Sequence, residues 1–213
     1  MALIFANLSA LKAGLTSWMA DGSLDADTLD RAVALTEAEM RRRLRIFKME
    51  VTEDLTISGE TLVVPSRFLA VKRAYIPGYE ALDVLDGEAL VRKLADNRGT
   101  SGRPDAFALE GREDQLPILR FAPIPDQTYT LRLTYLADPA LLDDDDCNVI
   151  LDEYPDAYFY GCLSHLGDHA RNKERLPDWQ AKFDAAMAGI LQADLDDKIA
   201  GSTLVPRVPF RIA

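Results

Sequence analysis

The chain has 213 residues, 48% of them apolar, enough to bury a core in one domain or in one domain with an added helical layer. Lys and Arg number 24 against 35 Asp and Glu, and the resulting net charge of −11 keeps a protein soluble and disfavours loose binding to nucleic acid. No apolar run approaches the ~20 residues that span a bilayer, and the two cysteines, Cys147 and Cys162, form no secreted-type framework, so free thiols in a reducing cytoplasm are expected.

The opening "MALIFANLSALKAGL" has the apolar look of a leader but no positive start, and Lys12 interrupts it, so a helix of the mature protein is expected over 5–20. Leu8, Leu11, Leu15 and Trp18 recur there at helical spacing. "DGSLDADT" is a turn rich in N-cap residues. A second helix is predicted from Asp27 to Met49, with Leu29, Val33, Thr36, Met40, Leu44 and Phe47 on one stripe.

From Val51 the period changes. "VTEDLTISGETLVVP" reads as strand, tight turn at Ser58-Gly59-Glu60, strand, and "FLAVKRAYI" as a strand closed by Pro77-Gly78. "DGEALVRKLADNRG" reads as a short helix stopping at Gly99. "PDAFALEG", "QLPILRFAP" and "QTYTLRLTYLA" read as three strands, with Tyr129, Leu131, Leu133 and Tyr135 alternating against Thr130, Arg132 and Thr134. Prolines 117, 123 and 125 suit strand ends and edges.

Two helices follow, over 155–172 and 177–194, the second with Trp179, Phe183, Met187, Ile190 and Leu191 as its stripe. Pro155 suits the first helical position, where its missing N–H costs nothing. The aromatics at 154, 158, 159 and 160 are expected to fasten that helix against the β block and a neighbour. The end, "KIAGSTLVPRVPFRIA", has no helical period and reads as an extended arm. The expected class is α+β: an N-terminal helix pair (5–49), a central antiparallel β block (51–137, a small sandwich or barrel), a C-terminal helix pair (154–195), all in one domain over 1–200, and an arm over 201–213.

Candidate chemistry is sparse. "HLGDH" places His165 and His169 four residues apart on a helix and approaches the inverted zinc-protease pattern, but with Asp168 in place of glutamate and no third histidine in the chain. A metal-dependent hydrolase on His165, Asp168 and His169 is the alternative from another class. Asp143–Asp146 lacks the glycine and the closing glutamate of a calcium loop, and Cys147 interrupts it, so a solvated loop is expected. "GTSGRPD" lacks the Gly-Lys-Ser/Thr ending of a phosphate loop, and no Gly-x-Ser-x-Gly elbow occurs. No catalytic residue, cofactor or metal site is therefore assigned.

Two surface features carry more weight. Arg41, Arg42, Arg43 and Arg45 form a belt around a helix end and are expected to pair with acids of an adjacent subunit rather than to hold DNA. The arm sets Leu204, Val205, Val208, Phe210 and Ile212 beside Arg207 and Arg211. It cannot build a core alone and must pack back or lie on a partner.

In order, "LTEAEMRRRLR", "VVPSRFLAVKRAYI", "GRPDAFALEG", "LRFAPIPDQTYTLRLTYLADPALLDDDDCNVILDEYPDAYFYGCLSHLGDHARN" and "WQAKFDAAM" resemble the head–tail adaptor (connector) proteins of tailed bacteriophages. In that family a strand ending in P-x-P leads to a Y-x-L-x-L-x-Y strand, and a Y-P-D-x-Y-x-Y-x-x-L segment opens the C-terminal helices. The resemblance covers nearly the whole chain through order and spacing. It implies a virion protein without catalytic residues or cofactor, made in the host bacterial cytoplasm and placed at the head–tail interface. It implies a homo-oligomeric ring, commonly twelve-fold, under the portal protein, with a tail or tail-terminator protein beyond. Double-stranded DNA would pass through without sequence-specific binding, and no membrane is involved. Leu204, Val205, Arg207, Val208, Phe210 and Arg211 are the expected portal contacts. A different tail-completion or baseplate ring is a further alternative.

Overall fold

The computed structural model describes residues 5–19, 24–96, 100–113, 116–139, 142, 147–167 and 173–199. They fall into two compact units, Met1–Lys48 with Pro139–Ala213, and Met49–Asp138. The class is α+β, in the expected order of helices, sheets and helices.

The first unit is helical. Helix α1 (Leu8–Met19) starts where Asn7 Oδ1 accepts the Ala10 N–H at 2.9 Å and buries Leu11 and Leu15. Helix α2 (Ala26–Arg43) is capped by Asp25, which accepts the Thr28 N–H at 2.8 Å. It ends at Arg43, six residues before the expected Met49. Leu44 turns extended, and Leu44 and Ile46 both point inward while a 3-10 turn forms over Phe47–Met49. Phe47, expected on the buried stripe, is 56% exposed. An extended backbone buries alternate residues, so the pair Leu44/Ile46 replaces the helical pair Leu44/Phe47.

The C-terminal helices rearrange similarly. A short helix α4 (Val149–Glu153) precedes the expected one, capped by Asn148, whose Oδ1 accepts from Ile150 and Leu151. Helix α5 (Pro155–His165) has proline in its first turn as expected, but ends at His165 rather than at 172. Helix α6 (Leu176–Ile199) continues past the expected 194, so Lys198 belongs to the helix and not to the arm. Trp179, Phe183, Met187 and Ile190 are buried, while Leu191 is exposed. Helix α5 is the centre of this unit and packs on α1, α2, α4 and α6.

The second unit is a sandwich with one helix on its flank. Its strands are β1 (Glu50–Ile57), β2 (Thr61–Val63), β3 (Phe68–Tyr75), β4 (Asp83–Leu85), β5 (Ala106–Glu113), β6 (Leu116–Ala122) and β7 (Tyr129–Ala137). One sheet has the order β1-β7-β3 and the other β2-β6-β5-β4. All pairings are antiparallel except β4–β5. The Ser58-Gly59-Glu60 turn therefore does not close a hairpin; it carries the chain from one sheet to the other.

Both sheets share a core of Ile57, Ala74, Phe107, Leu119, Phe121, Leu131, Leu133 and Tyr135. On the far face of the second sheet, Ala108 and Ala122 meet Leu90 of helix α3 (Gly87–Asp96). Alternation along the strands puts large Phe107 and Phe121 inside and small alanines under the helix, which lets the helix approach closely. Pro117 is the second residue of β6, and its carbonyl accepts from Val64 at 3.1 Å. Pro123 follows β6 directly, through a cis bond.

Candidate interface surfaces

The four arginines sit at the end of α2, and each is exposed. Arg43 turns onto its own chain. Its guanidinium lies 2.9 Å from Glu39 and 2.7 Å from Asp184 of α6, and 5.4 Å above the Phe183 ring. Arg45, past the helix end, donates to the carbonyls of Arg41 at 2.6 Å and Leu44 at 2.5 Å. Those carbonyls belong to the last turn and the C-cap of α2, so Arg45 acts as a C-terminal cap. Arg42 makes no ion pair among the described residues. The belt thus divides: Arg43 and Arg45 serve the monomer's own helix end, and Arg42 faces outward.

The histidine motif is only partly placed. His165 closes α5, and its buried Nε2 finds no hydrogen bond among the described residues; Glu39 Oε2 lies 3.5 Å away. Asp168, His169 and the Asp143–Asp146 run lie outside the described residues, as do Leu204, Val205, Arg207, Val208, Phe210 and Arg211 of the arm. Among the described residues no three His, Cys, Asp or Glu side chains gather as metal ligands, and no helix is long and apolar enough to cross a membrane.

The segment "NVILDEYPDAYFYGCL" is organised around buried polar groups. Asn148 Nδ2 donates to the Tyr158 hydroxyl at 2.7 Å, and that hydroxyl lies 3.3 Å from Glu37 Oε1, which also accepts the Leu142 N–H at 3.1 Å. Burial, then the Glu37 carboxylate, push the Tyr158 phenol above its ordinary value, so it stays a neutral donor. One turn along, Thr36 and Cys162 touch at 3.6 Å, and burial pushes the thiol up to about 12. Phe159 stacks on Phe5 with ring centroids 5.6 Å apart and meets the edge of Trp18 at 5.7 Å. These aromatics fasten α5 to α1 and to the residues just before it.

The outer surface of α5 and α6 carries an open groove of about 580 Å³, lined by Tyr154, Asp156, Tyr160, Lys182, Ala185 and Gly189 among others. Lys182 reaches over the Tyr160 ring at 5.2 Å. The other unit has a smaller polar pocket beside Tyr79, whose ring is covered by Arg103 at 4.0 Å. The free face of the β1-β7-β3 sheet is polar. Arg132 grips Asp54 through two bonds of 2.7 and 2.8 Å, and Thr52 bonds Thr134 at 2.9 Å.

Among the described residues the distinguishing features are thus a buried polar cluster, an outward arginine and a charged sheet face. The family model for SU10 adaptor protein matches residues 6–207, nearly the whole chain. The chain belongs to the SU10 adaptor protein family. It is thereby a phage head–tail adaptor, as the order of its motifs led us to expect. No curated protein matches it.

In this adaptor the α5–α6 groove escaped sequence reasoning. The sequence presents Tyr154 and Tyr160 as packing groups, and Gly189 falls beside the apolar stripe of α6, between Met187 and Ile190. A glycine in the solvent-facing part of a long helix was the available signal, because glycine there costs stability relative to alanine. The Glu37–Tyr158–Asn148 cluster left no local signal, since its members come from separate helices and a loop.

Proposed function

We propose that this phage adaptor assembles as a ring, twelve-fold, beneath the portal protein of the filled head. There it extends the DNA channel and joins the capsid to a tail or tail-terminator protein. Membership of the adaptor family over residues 6–207 is the observation that carries this reading. The net charge of −11 supports it, because an acidic wall repels phosphates and lets double-stranded DNA pass without being held. The role is structural rather than catalytic, and its place is the virion.

Two surfaces are assigned within this reading. Leu204, Val205, Arg207, Val208, Phe210 and Arg211 of the arm contact the portal, because an apolar, proline-bearing tail needs a partner surface. Arg41 and Arg42 face the adjacent subunit, with Arg43 and Arg45 holding the helix end that presents them.

Electron microscopy of particles, with the protein located by a tag, tests the placement. Density for the adaptor as a ring at the portal exit is expected; density at the baseplate would overturn it. Deletion of 201–213 is expected to leave DNA-filled heads without adaptor, and normal adaptor occupancy after deletion would remove the arm from the portal contact.

A further inference from the structure

We propose that His165 is a proton-operated tie between helices α5 and α2: when its ring takes up a proton, it closes an ion pair with Glu39 and fixes the end of α5. The inference concerns the helical unit alone and is independent of any place in the virion.

The tie belongs to a line of four side chains from three helices. Asp184 of α6 and Glu39 of α2 share the Arg43 guanidinium, at 2.7 and 2.9 Å. Arg43 occupies Oε1 of Glu39. The second oxygen, Oε2, faces Nε2 of His165 at 3.5 Å. That gap is too long for a good hydrogen bond, and the buried Nε2 has no other partner among the described residues.

A neutral imidazole carries one N–H. With the proton on Nδ1, the Nε2 lone pair confronts a carboxylate and repels it. With the proton on Nε2, the ring faces Glu39 as a neutral donor across a long gap. A second proton makes both nitrogens donors and adds a positive charge, and a charge-assisted bond of this kind closes to about 2.7–2.9 Å. A shift of less than about 1 Å is all that the tie requires.

The surroundings favour the charged ring. His165 is the last residue of α5, where the open carbonyls of the helix end attract a cation. Arg43 lies between two carboxylates, so its charge is balanced before the histidine gains one. Glu39 is the one carboxylate among the described residues that pairs with the ring. Of the other charged groups on the helices packed against α5, Glu37 lies against Tyr158, Lys12 of α1 is held by Asp30, and Glu153 of α4 is held by Lys48. On α6, Asp178 pairs with Lys182 and Asp194 with Lys198. Asp156 stands in the first turn of α5, at the opposite end. Near about pH 5.5 an ordinary carboxylate is ionised and an ordinary histidine is mostly charged. The tie is therefore closed in mild acid and opens as pH rises through the histidine range, about 6.5.

The test uses the full chain and amide hydrogen exchange, corrected for the intrinsic effect of pH. The probe is the Leu166 N–H, which donates to the Cys162 carbonyl at 2.9 Å and closes α5 just beyond His165. From about pH 7.5 to about 5.5 its protection is expected to rise about two- to fivefold, the range of a partly exposed ion pair. His165→Gln and Glu39→Gln should each abolish the rise, and His169→Gln should keep it. No rise in the parent chain, or the same rise in His165→Gln, would overturn the tie. Loss of the rise in His169→Gln alone would overturn it too. The parent chain gives a second reading that needs no variant at either end of the pair. The carbon-13 shift of the Glu39 carboxyl is expected to step together with the His165 ring signals, and a Glu39 carboxyl that ignores that titration would remove Glu39 as the partner.

Discussion

Gly161 of α5 lies so close to Thr36 of α2 that a Cβ there would fall 2.4 Å from the threonine methyl and 3.0 Å from Phe183. Three helices meet at this point, and only a missing side chain lets them close. Thr36 gains a further tie through its hydroxyl, which donates to the Ala32 carbonyl at 2.8 Å. Gly161→Ala is therefore expected to destabilise the helical unit by about 1–3 kcal/mol through overpacking. Gly189→Ala, in open space on α6, is expected to be neutral or to stabilise by about 0.5–1 kcal/mol through helix propensity. Denaturant unfolding of both variants measures the contrast, and equal effects would contradict the packing described.

The Arg132–Asp54 pair sets an acid limit. The double hydrogen bond to Arg132 holds the Asp54 carboxyl below its ordinary value. A depressed folded pKa means that the stabilisation is fully present above the unfolded carboxylate value, about 3.9, and is lost as pH falls through the folded value. Asp54→Asn should therefore be less stable than the parent near neutral pH and match it once Asp54 is protonated. Because the pair is exposed, the difference should also shrink in 1 M salt. Thermal unfolding across pH and salt checks both signs.

The two thiols should react at different rates. Cys147 is half-buried, whereas Cys162 is enclosed and its thiol is pushed up to about 12 by burial. The thiolate is the reactive form. At neutral pH a disulfide reagent is expected to modify Cys147 in the native protein and Cys162 only after unfolding. Mass spectrometry of the labelled peptides reads the order.

Tyr158 is expected to be costly to truncate by a single oxygen. Tyr158→Phe removes the acceptor for Asn148 and leaves that amide short of a partner in a buried position. The expected loss is about 1–3 kcal/mol in denaturant unfolding, since an unsatisfied buried donor retains its desolvation penalty. Asn148 also caps α4, so the loss should appear as faster amide exchange at Ile150 and Leu151.

Arg42 and Arg43 should separate two roles that neighbouring positions share in the sequence. Arg43→Glu places like charges beside Glu39 and Asp184 and is expected to lower monomer stability modestly, by about 1 kcal/mol or less. Arg42→Glu is expected to leave the unfolding midpoint unchanged and to lower incorporation into particles. Incorporation unchanged by Arg42→Glu would remove that side chain from the subunit contact.

The fold was legible where one short window carries the decision. Tyr129, Leu131, Leu133 and Tyr135 alternate cleanly, and β7 follows. Asp25 and Asn148 cap helices because side-chain acceptors act within a few residues. Where a distant partner decides, the local pattern misleads. Leu44 and Phe47 prolong the helical period of α2, yet burial of Ile46 ends the helix. Strand β4 spans only Asp83–Leu85 and exists through its parallel pairing with Ala106–Ala108. At the surfaces, the arginine run was visible as charge, but the tie of Arg43 to Asp184 crosses 141 positions. The groove needed two helices to exist at all.

Strands β1 and β7 are the first and last of the β unit, and they pair along their length, with Glu50 opposite Leu136. The chain therefore enters and leaves that unit at neighbouring points, and its hydrophobic core is complete between them. A stretch bounded in this way is a cassette. A single recombination event with junctions near positions 49 and 138 would transfer an entire folded body between related genes, leaving the helical unit's own sequence intact. A short designed linker could likewise replace it, so that the helical unit could be produced and studied as a separate chain.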